Sequence, residues 1–385
     1  MIDELNIKKN LELFSFPRLS GTKHEKKAFD LAYNKILELG LKPQKQEFEF
    51  STFYSRTYPK IGFFLGFLLL ITFYIDTNLG VLISILTCPI LVLIFIIMRN
   101  PENVKFYKKL ESANLFVKLK GRRSRFKKIN KSKEQIIFSC HLDSKGQKLS
   151  ILARVRSMRA WFFSALIIIF IILLKYLILP NLATLFTILG IFPLTINIVA
   201  MVLILINTTN NSSLGAIDNA SGIVCVLELM RYYANENSRL ENVDSWFVFT
   251  GCEETGTMGI RNLYKKFKVF DRNNLMLVNF DSIGRGITLF DTIFKPEGYN
   301  EFYNDFLNNN IGLEITEKSK KINFGTHSDG TYIKKKMYQG IEFGDLNVYQ
   351  YMHSKEDTIG KVNTNNLKKL CELIIENVEK YYKNK

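Results

Sequence analysis

Histidines and carboxylates occur in this chain in short strings that could bind metal ions. Only four histidines are present, and two of them belong to this set. In chain order the strings are His141-Leu-Asp143, Asp218-Asn-Ala-Ser-Gly222, Glu253-Glu254, Asp281 and His353. Imidazole nitrogen and carboxylate oxygen are ligands that zinc accepts readily. A pair of cations about 4 Å apart needs a shared carboxylate and terminal ligands on each cation. Two histidines and three carboxylates meet that requirement.

Three of the strings also have an ordinary structural explanation. Asp218 could cap a helix that starts near Ser221, because Asp and Asn are good residues for that position. Glu253-Glu254 could lie in a solvated loop. The segment around His353 could be merely the entry to the last helix. The prediction of a metal site therefore depends on all the strings together.

Short apolar segments predict strands that end just before three of the strings. They are residues 135–140 before His141, 245–250 before Glu253, and 275–280 before Asp281. Apolar periodicity predicts helices at 221–233 and 365–382, and Thr22-x-x-Glu25 is a capping box. This alternation predicts an α/β fold with a mixed, mostly parallel sheet and helices on both faces. In such sheets functional side chains gather beyond the carboxyl ends of strands.

In this order the strings resemble peptidase family M28, a family of zinc aminopeptidases. The resemblance covers most of the polar chain, from about Leu19-Ser-Gly-Thr22 to the last helix. It implies the two-zinc phosphorylase/hydrolase-like fold. His141 and Asp218 are 77 residues apart, and removing the hydrophobic inserts brings them to roughly the separation expected of the family.

The resemblance also implies two Zn²⁺ ions and a role for each ligand. Asp218 would bridge the ions. His141 and Asp281 would complete one site, and Glu254 and His353 would complete the other.

Two further residues receive catalytic roles from the same resemblance. Glu253 would be the general base that accepts the proton of a metal-activated water and returns it to the leaving amine. Asp143 would hold the imidazole of His141, as carboxylates behind metal-bound histidines commonly do.

The remaining histidines and the cysteines are not assigned to the site. His24 lies in the first turn of a predicted helix and is expected at the surface. His327 and Asp329 lie in a segment that resembles the substrate pocket of the family, but the residue order differs, so neither is a predicted ligand. The five scattered cysteines fit neither a disulfide framework nor a thiolate zinc site. Cys140 and Cys252 are expected to be small core residues.

Four apolar stretches predict membrane-spanning helices, since a span needs roughly 20 apolar residues. They cover residues 61–75, 79–98, 161–179 and 182–206. The third is long enough if Lys175 reaches the interface, and the first if Tyr58 and Lys60 extend it. Buried helices of a soluble core are the alternative, which the length and all-round apolarity of the stretches disfavour.

Very short turns join the stretches in pairs, which predicts two hairpins with all large polar segments on one side. The chain between Arg99 and Arg159 contains 18 Lys or Arg and four acidic residues, a net charge of +14. The positive-inside rule then places the catalytic domain in the cytoplasm. The basic run Gly121 to Lys128 is expected to attract anionic lipid headgroups, and no nucleic-acid partner is predicted. No cleavable signal peptide is expected, because the charged start of the chain contains no apolar run.

The expected domain plan is a peptidase domain interrupted by two transmembrane hairpins. The three parts of the peptidase domain are residues 1–60, residues 99–150, which include the basic linker, and residues 207–385. The hairpins are residues 61–98 and 151–206. Because the second hairpin leaves directly after the His141 string, we expect the catalytic cleft to open toward the membrane. The predicted activity is removal of N-terminal residues from peptides. The alternatives are a glutaminyl-cyclase-like acyl transferase with one zinc and a non-catalytic membrane receptor or adaptor.

Overall fold

The computed structural model describes residues 1–122, 134–291, 303–304, 306, 313, 315–319, 328–336 and 338–384. The chain forms two compact units. The sheet unit comprises Met1–Phe50, Leu110–Gly146 and Asn211–Lys385. The helix unit comprises Ser51–Lys109 and Gln147–Asn210.

An eight-stranded mixed sheet organises the sheet unit. Its strands are β1 (Gln44–Ser51), β2 (Lys109–Leu119), β3 (Glu134–His141), β6 (Val243–Thr250), β7 (Leu275–Phe280), β8 (Ile287–Asp291), β9 (Ile315–Ser319) and β10 (Gln339–Gly344), in the spatial order β1-β2-β6-β3-β7-β10-β8-β9. The central strands β6, β3, β7 and β10 are parallel. Strands β2 and β8 run antiparallel to their neighbours β6 and β10. The predicted mixed, mostly parallel sheet is confirmed. Two further two-residue strands, β4 (Gly146–Gln147) and β5 (Thr209–Asn210), pair with each other.

Helices cover both faces of the sheet, as predicted. They are α1 (Glu4–Phe14), α2 (Lys23–Glu38), α7 (Ser221–Ala234), α8 (Met258–Phe267), α9 (Asp329–Lys335) and α10 (Thr364–Asn384). Side chains alternate along each strand, so a strand contributes to two cores. In β3, Ile136 and Phe138 pack in the core shared with α1, α7 and α10, whereas Ile137 packs in the core shared with α8 and α9. The continuous apolar run of β3 therefore reflects burial on both faces.

The helix unit contains α3 (Tyr58–Ile75), α4 (Thr77–Met98), α5 (Ile151–Leu173) and α6 (Ala183–Ile206). Including the helical turns at their ends, four segments are long and apolar enough to cross a membrane. The first of them starts at Phe53, earlier than the predicted residue 61.

Lysines at the helix ends bind main-chain carbonyls within the helix unit. Lys60 Nζ donates to the carbonyl of Leu205, at the end of α6, at 2.7 Å. Lys175 Nζ donates to the carbonyl of Tyr74, at the end of α3, at 2.8 Å, and its side chain is only 8% exposed. The charge of Lys175 stabilises the negative end of a neighbouring helix. Its expected reach to the membrane interface stays a prediction.

Candidate metal centre

The parallel strands bring three of the predicted strings to one edge of the sheet. His141 is the last residue of β3 and lies opposite Thr250, the last residue of β6. Asp281 directly follows β7, which pairs with the other side of β3. Since the carboxyl ends of parallel strands meet at one edge, His141, the Glu253-Glu254 turn and Asp281 become neighbours.

Two overlapping groups of side chains have the geometry of metal sites. The first contains His141, Asp218 and Asp281, and the second contains Asp218, Glu254 and His353. Within each group the ligand atoms lie within 4.8 Å of one another. The structure therefore brings all five predicted ligands together, although they are spread over more than half of the chain.

Asp218 belongs to both groups through different oxygen atoms. Its Oδ1 lies 3.1 Å from His141 Nε2, and its Oδ2 lies 3.1 Å from His353 Nε2. The terminal carboxylates lie nearby, with Asp281 Oδ1 3.6 Å from His141 Nε2 and Glu254 Oε1 2.9 Å from His353 Nε2. Two donors bound to one tetrahedral zinc ion are roughly 3.4 Å apart, given zinc–ligand distances of about 2.1 Å. The observed spacings fit that geometry.

Orphaned carboxylate oxygens provide an independent test of this fit. Asp218 Oδ1 and Glu254 Oε1 are buried and have no hydrogen-bond partner among the described residues. A buried carboxylate oxygen without a hydrogen-bond donor needs a positive charge beside it, which a protonated histidine or a bound cation can supply. Both atoms point toward a histidine nitrogen of their group, where a cation would satisfy them.

The backbone around Asp218 frees its side chain from capping α7. Asn219 Oδ1 accepts a hydrogen bond from the Gly222 amide at 3.1 Å, so the neighbouring residue serves the first turn of the helix. Asp218 itself presents its two carboxylate oxygens to His141 and His353. Capping of α7 therefore does not account for the position of its side chain.

Asp357 holds the Asp218 loop from the opposite side. Its carboxylate accepts hydrogen bonds from the amides of Ile217 at 2.6 Å and Asp218 at 3.4 Å. Asp357 is fully buried. Burial, together with the nearby charge of Asp218, raises its pKa to about 7.

Arg18 connects the segments that carry His141 and Asp218. The side chain is fully buried, and Nε donates to the Leu142 carbonyl at 2.8 Å. Nη1 and Nη2 donate to the carbonyls of Leu214 at 2.9 Å and Gly215 at 3.0 Å. One guanidinium group therefore joins two loops that are 72 residues apart in sequence. Burial lowers its pKa to about 10, although nearby carboxylates oppose the shift.

Asp143 contacts His141 and also shapes the turn after β6. His141 Nδ1 lies 3.0 Å from the Asp143 carbonyl and 3.4 Å from the Asp143 carboxylate, so the expected contact uses the main chain as well. The carboxylate accepts hydrogen bonds from the amides of Glu253 at 3.0 Å and Glu254 at 3.1 Å. Asp143 therefore orients both residues of the predicted Glu253-Glu254 pair.

Glu25 supports the same turn from α2. Its carboxylate accepts hydrogen bonds from the Gly21 amide at 2.6 Å, the Cys252 amide at 3.0 Å and the Ser112 hydroxyl at 2.8 Å. Burial and the charge of Asp143 raise the pKa of Glu25 to about 8. Thr22 caps α2 as predicted, but Glu25 bonds the amide of Gly21 and not that of Thr22, so its carboxylate belongs to the scaffold of the site.

Glu253 is buried next to the metal-binding groups, which excludes the solvated-loop explanation. Burial raises its pKa well above the ordinary value, and the charges of Asp281, Glu254 and Asp329 act in the same direction. A carboxylate with a raised pKa is a better proton acceptor near neutral pH than an ordinary glutamate.

Asp329 lies close to this carboxylate cluster. It accepts a hydrogen bond from the Thr250 hydroxyl, while its Oδ1 has no partner among the described residues. Burial raises its pKa to about 7, and the charge of Asp281 contributes. His327 lies outside the described residues. His24 is half-buried rather than fully solvated, with Nδ1 3.3 Å from Asn211 Nδ2.

Left-handed backbone conformations occur at three non-glycine residues of the site. The φ angles are 56° at Cys252, 66° at Ser282 and 59° at His353. Such values are uncommon outside glycine and often occur at functional sites, where the surrounding structure enforces them. Cys140 and Cys252 are fully buried, as expected for small core residues.

Sequence reasoning missed several residues that organise the site. Arg18, Lys145 and Asp357 received no role, and Glu25 was assigned only to a helix cap. Asp357 offered a weak signal because it lies four residues after His353. Arg18 offered none, since a single arginine near the start of a chain is usually solvated.

Comparisons with known proteins agree with this geometry. The model of peptidase family M28 matches residues 196–378. That range includes Asp218, Glu253, Glu254, Asp281 and His353, but not His141. The resemblance inferred from the sequence is confirmed. No curated protein sequence matches the chain.

Solved structures share the fold at low sequence identity. An aminopeptidase from Aneurinibacillus sp. strain AM-1 is 13% identical with a TM-score of 0.56, and the match covers 98% of this chain and 93% of that one. BSAP, a zinc aminopeptidase from Bacillus subtilis, is 12% identical with a TM-score of 0.55, and the match covers 99% of this chain and 95% of that one. A glutaminyl cyclase from Fimbriiglobus ruber is 12% identical with a TM-score of 0.55, and the match covers 98% of this chain and 95% of that one. At these sequence identities the likeness establishes the fold. The solved structures that share this fold include aminopeptidases and glutaminyl cyclases, the two enzyme classes predicted from the sequence.

Proposed function

Because residues 196–378 carry the pattern of peptidase family M28, we propose that this chain is a membrane-embedded two-zinc exopeptidase that removes N-terminal residues from peptides. The observation that carries the proposal is the carboxylate of Asp218, whose two oxygens each lie 3.1 Å from a different histidine. A family of hydrolases and a bridging carboxylate together favour metal-assisted hydrolysis.

The proposed ligands form two sites with a shared residue. His141 and Asp281 would hold one zinc ion, Glu254 and His353 the other, and Asp218 would bridge them. When bound, the ions would polarise the scissile carbonyl and lower the pKa of a nearby water.

Glu253 is the proposed general base. It would accept the proton of the attacking water and donate it to the leaving amine. Support comes from its burial and raised pKa, and from Asp143, which fixes the amide of Glu253 at 3.0 Å. Asp143 is the proposed positioning residue for both His141 and this turn.

The cytoplasmic orientation is part of the proposal. It rests on the net charge of +14 between Arg99 and Arg159 and on the four apolar helices. The expectation that the cleft opens toward the membrane stays a prediction, and replacing residues 149–208 by a short loop would test it. On this orientation, the substrate is a peptide on the cytoplasmic side, and the basic segment adds attraction to anionic lipid.

A glutaminyl-cyclase-like acyl transferase is the second candidate, because glutaminyl cyclases share the fold. The two activities give different products from a peptide that begins with glutamine. The peptidase releases a free amino acid and shortens the peptide. The cyclase releases ammonia and leaves the peptide length unchanged.

The decisive experiment compares wild type with Glu253→Gln and Glu254→Gln after purification in detergent. We expect about two zinc ions per chain in wild type and in Glu253→Gln, with activity on aminoacyl reporters at least about 100-fold lower in the variant, as for loss of a general base. Glu254→Gln serves as the matched neighbour and should lose zinc as well as activity.

Three results would contradict the proposal. One zinc ion per chain with ammonia release from glutaminyl peptides would favour the cyclase. Bound zinc without hydrolysis of any peptide in a library would favour a receptor or adaptor. Unchanged activity in Glu253→Gln would remove the proposed base.

A further inference from the structure

Lys145 places a positive charge against one half of the proposed metal centre. Its Nζ lies 2.6 Å from Glu254 Oε2, and the two side chains are 13% and 5% exposed. Shielding from solvent leaves such a pair weakly screened. Lys145 follows His141 by only four residues, so it reaches the site from the loop after β3.

The two oxygens of Glu254 consequently have different surroundings. Oε2 accepts from Lys145, whereas Oε1 lies 2.9 Å from His353 Nε2 and has no hydrogen-bond partner among the described residues. Lys145 therefore leaves one oxygen of Glu254 for a cation and neutralises much of the charge of the carboxylate.

Among the described residues, the other half of the centre has no comparable cation. Asp281 accepts a hydrogen bond from the neutral hydroxyl of Ser282 at 2.8 Å. Within the described residues, no lysine or arginine forms an ion pair with Asp281. The two halves are similar in ligand type, and in the described part of the chain only the carboxylate of Glu254 is paired with a lysine.

We propose that Lys145 makes the two metal sites unequal, so that the Glu254–His353 site binds its cation last and loses it first. The inference rests on the proposed two-zinc centre. A divalent cation at that site is repelled by an ammonium group one carboxylate away, and burial strengthens the repulsion. Lys145 is thus a positioning residue that sets the metal affinity of one site.

The test is zinc titration of the full-length, detergent-purified chain against a chelating dye, after removal of bound metal. Wild type should bind two ions in two steps, the second at least about tenfold weaker. In Lys145→Met and Lys145→Gln the second step should tighten by at least about tenfold, because the repulsive charge is gone. Lys145→Arg keeps the charge and should retain two steps. Lys148→Met is the matched control at an exposed lysine nearby and should match wild type.

The possible failures are distinguishable. A second step that is unchanged or weaker in both neutral variants overturns the role of Lys145 while the two-zinc centre stands. One ion in every form overturns the inference and favours the single-zinc alternative. No zinc in wild type overturns the proposed function together with the inference.

Discussion

The sheet unit and the helix unit bury polar side chains in different ways. In the helix unit, Lys60 and Lys175 donate to carbonyls at helix ends, and Asn197 donates to the Trp161 carbonyl and the Ser164 hydroxyl. In the sheet unit, carboxylates and imidazoles crowd together at one edge of the sheet. Among the described residues, the buried carboxylate oxygens without a hydrogen-bond partner all belong to the sheet unit: Asp218 Oδ1, Glu254 Oε1 and Asp329 Oδ1.

The difference concerns charged groups, since uncharged buried atoms without a partner within the residues that the structure describes, Asn197 Oδ1 and Trp161 Nε1, also occur in the helix unit. A hydrogen bond to a free helix end satisfies both partners and stabilises the pair. A buried carboxylate oxygen without a partner is unfavourable for folding, and its retention points to a ligand that satisfies it. The predictions below test this contrast in order of decreasing effect.

Loss of the shared carboxylate should have the largest effect. We expect Asp218→Asn to weaken zinc binding at both sites by at least about 100-fold, because the substituted residue belongs to both ligand groups. Metal analysis after gel filtration measures this effect. Asp30→Asn, at an exposed position on α2, is the control and should retain the wild-type zinc content. Retention of two ions in Asp218→Asn would show that the carboxylate is not a bridge.

A change of pH should have an intermediate effect on the zinc affinity of the sheet unit. Burial opposes protonation of His141, but its contacts with Asp143, Asp218 and Asp281 outweigh burial and raise the pKa well above the ordinary value. The pKa of His353 is also raised, since Glu254 and Asp218 outweigh burial there. Zinc binds neutral imidazole, so each protonated histidine must release its proton.

Zinc affinity should therefore fall as the pH decreases through the raised pKa values of these histidines. The expected slope is about tenfold per pH unit for each proton released. Dye competition over a pH series measures the slope, and proton release can be followed independently in weak buffer. An affinity that stays constant through the neutral range would contradict the proposed histidine ligands.

Removal of a polar contact in the helix unit should have the smallest effect. Asn197→Val removes donor bonds of 2.8 Å to the Trp161 carbonyl and the Ser164 hydroxyl. Such bonds within membranes contribute on average about 0.6 kcal/mol, so we expect a loss of that order in the free energy of unfolding. Denaturation in mixed detergent micelles measures the loss.

The matched control for this substitution is Thr195→Val. Its hydroxyl donates only to the Ile191 carbonyl of its own helix, so the variant should unfold like wild type. A loss of several kcal/mol in Asn197→Val alone would show that this cluster has a larger role than an ordinary contact between helices.

Much of the fold was predictable because its signals are local. The predicted strand at 275–280 matches β7, and the predicted helices at 221–233 and 365–382 match α7 and α10 to within two residues. Apolar periodicity determines such elements, since burial on one face or on both leaves a pattern in neighbouring residues. The four long apolar stretches were recognisable for the same reason.

The scaffold around the site was less predictable because its interactions join distant segments. Glu25 was assigned only to a helix cap and Asp357 received no role, yet each holds a loop that carries proposed site residues. The bond from Arg18 to the Leu214 carbonyl spans 196 residues, and no periodic pattern encodes such a pair.

By itself the sequence determined the candidate ligands, the parallel arrangement of the sheet and the apolar helices. These depend on residue type and on spacing within short segments. Only the tertiary structure decided that Asp218 presents one oxygen to each histidine, that Asn219 relieves it of capping α7, and that Lys145 occupies one oxygen of Glu254. Those outcomes depend on distances of about 3 Å between side chains from separate strands and loops, which are fixed only when the sheet and its loops pack together.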